Sequence, residues 1–129
     1  MSGHNQLYQE MGSDHAAMAD PGSGKKIKPG VDRAVVELVT AGAETRDLMP
    51  PEFAGQELTL FFKTDGGSTG CTVTGRESNG TTSEQVNQTG NNTMIFADAG
   101  DILVLRGVLQ GSTYQWRIIA NDGVALSTV

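Results

Sequence analysis

From Met94 to Val129 the chain reads MIFADAGDILVLRGVLQGSTYQWRIIANDGVALSTV, a run of strand, turn, strand, turn and strand that holds it to β-structure. The runs Ile102-Leu103-Val104-Leu105-Arg106 and Tyr114-Gln115-Trp116-Arg117-Ile118-Ile119 read as half-buried antiparallel strands, with period-2 alternation of apolar and polar residues from Tyr114 to Ile118. Between these runs lie Asp98-Ala99-Gly100-Asp101, Gln110-Gly111-Ser112 and Asn121-Asp122-Gly123, whose residues tolerate positive φ or close side-chain turns. The earlier sequence adds strands at Arg33–Val39 and Glu57–Lys63, the latter ended by Thr64-Asp65-Gly66-Gly67, and shorter runs at Cys71–Thr74 and Met94–Ala97. About seven strands suit an all-β fold, a small antiparallel β-sandwich or jelly-roll-like barrel.

Two regions differ in chemistry. Residues 1–30 contain scattered apolar residues with no sustained period, interrupted by Pro21-Gly22-Ser23-Gly24 and Pro29-Gly30, and read as an extended N-terminal arm. Residues 31–129 form the β-sandwich or barrel domain. With 129 residues there is room for one core, and with 17 glycines and 5% aromatic residues that core must be lean. Lys25, Lys26 and Lys28 balance Glu10, Asp14 and Asp20 within the arm, so the domain carries the whole net charge of -6. That balance argues against nucleic acid, which needs a concentrated basic face. The lysine cluster either meets an acidic partner surface or solvates a linker. The segment Arg76–Asn92, RESNGTTSEQVNQTGNN, is almost wholly polar and reads as a long exposed loop, suited to partner contact.

Candidate chemistry is sparse. The chain has two histidines, His4 and His15, both in the arm, and it carries no phosphate loop, HExxH or zinc-spaced Cys/His pair, so no enzyme activity and no cofactor or metal is expected. Cys71 sits in a β-run and reads as a small buried thiol. Asp98, Asp101 and Asp122 lack calcium-loop spacing and read as turn formers. Asn79, Asn87 and Asn91 each head a glycosylation sequon, which chance explains in an Asn/Thr-rich loop. Trp116 shares a strand face with Tyr114 and Ile118 and reads as core rather than as a ligand platform. No apolar stretch approaches the ~20 residues of a membrane span, and the N-terminus lacks a signal-peptide core, so synthesis in the cytoplasm without export by the usual route and no membrane partner are expected. In the arm, Leu7, Tyr8, Met11 and Met18 lack an obvious home; docked into a neighbour, each would contribute ~1.5–3 kcal/mol of apolar burial, opposed by about 1–2 kcal/mol per ordered backbone residue.

From about Asp47 onward, DLMPPEFAGQELTLFFKTDGG, the polar loop, IFADAGDILVLRGV and YQWRIIANDG together resemble the small β-domains of tailed-bacteriophage capsid decoration (cement) and head-fibre proteins. A Leu-Pro and Ala-Gly-Gln opening and a late Trp-Arg strand recur in that family; here Met49-Pro50-Pro51 replaces the simpler Leu-Pro, and the likeness spans residues 31–129. The resemblance implies a homotrimer on the outer surface of an icosahedral head, made in the host cytoplasm, that clamps neighbouring major capsid subunits and stabilises the capsid lattice. The arm would then act as a staple through Leu7, Tyr8, Met11, Met18, Lys25, Lys26 and Lys28. The alternative is a fibre or tail-tip adhesin whose Arg76–Asn92 loop or Tyr114/Trp116 strand meets a host glycan.

Overall fold

The computed structural model describes residues 17–129, which form a sandwich of two five-stranded sheets. In chain order the strands are β1 (Ala17–Met18), β2 (Lys25–Ile27), β3 (Ala34–Thr40), β4 (Glu44–Leu48), β5 (Glu57–Asp65), β6 (Cys71–Gly75), β7 (Thr93–Phe96), β8 (Ile102–Gln110), β9 (Thr113–Asp122) and β10 (Ala125–Ser127). One sheet has the order β1-β3-β5-β8-β9 and the other β10-β7-β6-β4-β2. The chain changes sheet at each step from β1 to β6, so β1, β3 and β5 lie parallel on one side while β2, β4 and β6 lie parallel on the other. β7 to β10 then close both sheets with antiparallel pairs.

The sheets are therefore mixed, which corrects the expectation of an antiparallel sandwich. Alternation of apolar and polar side chains marks a strand buried on one face but carries no information on its direction. Parallel neighbours need a crossover, usually a helix; here a strand in the opposite sheet fills that role. Residues 41–56, with β4 in their middle, carry the chain from β3 back to its parallel partner β5.

Inward side chains obey the expected period. Val36 and Leu38 of β3, Leu58, Leu60 and Phe62 of β5, and Leu103 and Leu105 of β8 are buried from one sheet. Leu48, Val73, Met94 and Phe96 meet them from the other, with the Phe62 and Phe96 rings edge to face at 6.3 Å between centroids. The expected turns hold their places. Gly111 and Ser112 form the two-residue loop between β8 and β9, with Gly111 at φ 64°. Asn121 accepts the Val124 amide and Gly123 takes φ 94°, turning the chain from β9 into the opposite sheet. Where Val104 pairs with Ala120 and Leu105 with Ile118, Ile119 is the extra residue of a bulge, and its side chain stands exposed.

Three strands lie outside the seven expected. β1 and β2 fall within the segment read as an arm; each forms one outer strand of a different sheet, and Ile27 is buried in the core. The third, β4, reads Glu-Thr-Arg-Asp-Leu and places Arg46 at an inward position. The Arg76–Asn92 segment is a loop with no regular strand, as expected, but it is less exposed than expected because its turns and one apolar residue hold it to the domain. Asn79 accepts the amides of Thr81 and Thr82, Asn87 accepts the amide of Asn91, and between these turns Val86 is buried and its carbonyl accepts the Ile118 amide. One apolar residue at the right place is enough to fasten an otherwise polar segment to the core.

Candidate functional site

Of the arm residues, Leu7, Tyr8 and Met11, like His4 and His15, lie outside the described residues. Met18 is half-buried in β1, against the protein's own core. Lys25, Lys26 and Lys28 stand exposed on and beside β2, an outer strand of its sheet. The stem of Lys26 runs close over Gly80 of the Asn79 turn, where an added Cβ would lie 2.8 Å from Lys26 Cε.

Between these residues the chain is fastened by a salt bridge. The Arg46 side chain is completely buried, and its Nε and Nη2 donate to the two carboxylate oxygens of Asp20, each at 2.7 Å. Nη2 also reaches Glu44 at 2.9 Å and the Val39 carbonyl at 3.1 Å, and Nη1 reaches the Thr45 carbonyl. Asp20 in turn accepts the amides of Val39 and Gly22. Burial works to raise the Asp20 carboxyl, but the hydrogen bond from Arg46 and those two amides outweigh it and hold the carboxyl below its ordinary value. Arg46 therefore joins β4 of one sheet to the edge of β3 in the other, with the segment between β1 and β2 locked across the gap.

The residues that carry the resemblance converge on a second junction. Gln56 is fully buried; its Oε1 accepts the Glu52 amide and its Nε2 donates to the carbonyls of Pro29 and Val31. Gly107 exchanges backbone bonds with Gly55 and Gln56, and its missing side chain leaves space that the Phe53 carbonyl and Pro51 occupy, 2.6 and 2.8 Å from where a Cβ would sit. Trp116, opposite Gly107 in the β8–β9 pair, is buried and donates its indole N–H to the Met49 carbonyl at 2.8 Å. The Met49-Pro50-Pro51, Ala54-Gly55-Gln56 and Trp116 landmarks thus strap the β4–β5 connection over the end of the sandwich. Their work is structural, as the core reading of Trp116 anticipated.

Next to this strap lies a concavity. Pro50 and Pro51, Tyr114 near the tip of the β8–β9 hairpin, and Glu77 and Glu84 of the folded 76–92 segment line a groove of about 290 Å³. The hydroxyl-bearing Ser78, Ser112 and Thr113 complete the lining. Tyr114 extends beyond the core and remains 39% exposed. Burial raises the Glu84 carboxyl above its ordinary value and the nearby Glu77 carboxylate raises it further, while Arg117 and Gln115 offset part of the effect. Among the described residues neither glutamate takes part in an ion pair. Sequence reading singled out Tyr114 and the 76–92 segment separately; Glu77, Glu84, Pro50 and Pro51 went unnoticed as site residues because only the tertiary fold brings them to one place.

Two further sequence candidates, Cys71 and Asp101, have structural roles. Cys71 is buried, and burial pushes its thiol up to about 11. Asp101 uses one carboxylate oxygen to accept the Ala97 and Asp98 amides, closing its own turn. No protein-family model matches the chain, and no curated protein matches it.

Proposed function

We propose that this chain is a structural protein of a tailed-bacteriophage head, a decoration protein that binds the outer capsid surface and stabilises the lattice. In this reading the N-terminal segment staples neighbouring major capsid subunits, and a homotrimer repeats each weak contact, so that modest individual affinities add. The observation that best supports it is the way residues 17–27 are built into the sandwich. They supply one of the two outer strands of each sheet and are locked by Asp20 on a fully buried Arg46. Tension on a segment preceding Ala17 would be carried directly into both sheets. Lys25, Lys26 and Lys28 remain exposed at that same edge for an acidic partner surface.

The test is decoration of purified, undecorated expanded heads, imaged by cryo-electron microscopy. Full-length protein is expected to give regular surface density, and a chain lacking residues 2–16 is expected to stay folded and leave the heads bare. The deletion stops at 16 because Asp20 and Ile27 belong to the fold. Full decoration by the truncated chain would remove the staple; bare heads with the intact chain would remove the head assignment.

A second reading, a fibre or tail-tip domain that meets a host glycan, is favoured by the groove, which unites Tyr114 with the 76–92 segment. Its test is Tyr114→Ala rather than a change at Trp116, since the indole is buried and bonded to the Met49 carbonyl. Loss of glycan binding by a folded Tyr114→Ala variant is the outcome this reading requires.

A further inference from the structure

We propose that the groove bounded by Pro50, Pro51, Glu77, Glu84 and Tyr114 is a docking site for a basic side chain, preferentially an arginine, presented by an extended segment of a partner protein. The first support is charge. Two glutamates line one small concavity, neither in an ion pair among the described residues, and although Arg117 offsets part of the effect, the Glu77 charge adds to the cost of burying Glu84. A guanidinium between them would turn that repulsion into attraction, and in a partly desolvated groove such a contact outweighs one at an open surface.

The second support is shape. Tyr114 and the two prolines line the groove together with both glutamates, and a planar guanidinium can stack on an aromatic ring while its edge donates to carboxylate oxygens. An ammonium has no plane to stack, which sets lysine below arginine. The volume of about 290 Å³ suits one long side chain with its flanking backbone rather than a folded surface. A divalent cation fits less well, because calcium needs 6–8 oxygen ligands, and among the described residues no three metal-ligating side chains gather. A neutral sugar would satisfy the hydroxyls and the ring but leave the Glu77 charge adding to the cost of burying Glu84.

The third support is rigidity. Glu77 and Glu84 flank the Asn79 turn, with the Glu77 amide bonded to the Thr82 carbonyl and the Glu84 amide to the Gly75 carbonyl, and the prolines belong to the strap that Trp116 and Gln56 hold. A preformed site loses little ordering entropy on binding.

The inference goes beyond the virion reading and does not rest on it. Failure of the titration below would leave head decoration untouched, and bare heads would leave a peptide-binding groove in place. The experiment is an NMR titration of the full-length, isotope-labelled chain with the blocked peptide Gly-Ser-Arg-Ser-Gly and its lysine and glutamine counterparts, alongside a panel of neutral oligosaccharides. Arginine peptide is expected to shift the amides of Glu77, Ser78, Glu84 and Tyr114, lysine peptide more weakly and glutamine peptide not at all. Glu84→Gln and the more exposed Glu77→Gln should each weaken the arginine peptide by about threefold to fivefold with the remaining spectrum unchanged, and added salt should weaken it further. Equal shifts with the glutamine peptide, an affinity unmoved in both variants, no shift at the groove, or occupation by an oligosaccharide in place of arginine would each overturn the proposal.

Discussion

A guanidinium withdrawn from water must recover its hydration from neighbours, and Arg46 does so through two carboxylates and the Val39 and Thr45 carbonyls. Removing one partner of such a group leaves the others buried without a counter-charge. Arg46→Ala is therefore expected to destabilise the protein by about 3–5 kcal/mol in urea unfolding, and an effect below about 1 kcal/mol, the size expected for an exposed pair, would show that the pair is solvated. The same clamp sets a pH dependence. The Asp20 carboxyl is held below its unfolded value of 3.8, so the folded state binds the proton less readily than the unfolded one. Its contribution is complete well above pH 3.8 and fades as pH falls through the lower folded value. Acid unfolding midpoints should show this loss in the natural protein, and an Asp20→Asn variant, already lacking the charge, should show less of it. A similar slope in both would place the acid sensitivity elsewhere.

At the level of elements, the most informative are those whose sequence conceals them. β4 is concealed because an arginine sits at its central inward position, and a polar residue there breaks the apolar alternation by which strands are recognised. β1 and β2 are concealed by length, since two and three residues are too few to show a period. The 76–92 segment shows a different effect, with one valine, two asparagine-headed turns and the Val86–Ile118 backbone bond converting a polar stretch into a folded lobe. Val86→Ala should cost about 1–2 kcal/mol, within the range for truncating a buried aliphatic side chain. Hydrogen exchange at the Ile118 amide should quicken along with exchange across residues 76–92. Unchanged protection at Ile118 would show that the lobe is held by its turns alone.

For the whole molecule, the alternation of strands between sheets means that neither sheet can form from a continuous stretch of chain. β5, at the centre of its sheet, pairs with β3 on one side and β8 on the other, while β4 and β6 from the intervening chain lie opposite. Such interleaving favours one cooperative unfolding transition, because opening either sheet removes the face on which the other packs. Cys71 and Trp116 allow a check, being buried in opposite sheets. The thiol, raised to about 11, should resist alkylation at neutral pH until denaturant opens the core. Its labelling midpoint should coincide with that of Trp116 fluorescence. Labelling that clearly precedes the fluorescence change would mean that the sheets separate before they unfold.

The sequence by itself determined that this protein is all-β, where most of its long strands lie, which residues turn the chain, and that Trp116 and Cys71 are core. Each follows from local chemistry: period-2 alternation, the φ freedom of glycine, and the short reach of asparagine and aspartate side chains. Strand direction, the inclusion of residues 17–27 in both sheets, the burial of Arg46 and the meeting of Pro50, Pro51, Glu77, Glu84 and Tyr114 were decided only by the tertiary structure. The physical reason is the same for all four. Each depends on a partner remote in sequence, such as Asp20 for Arg46 or the folded 76–92 segment for Tyr114, and a side chain's neighbours across a sandwich leave no mark on its neighbours along the chain.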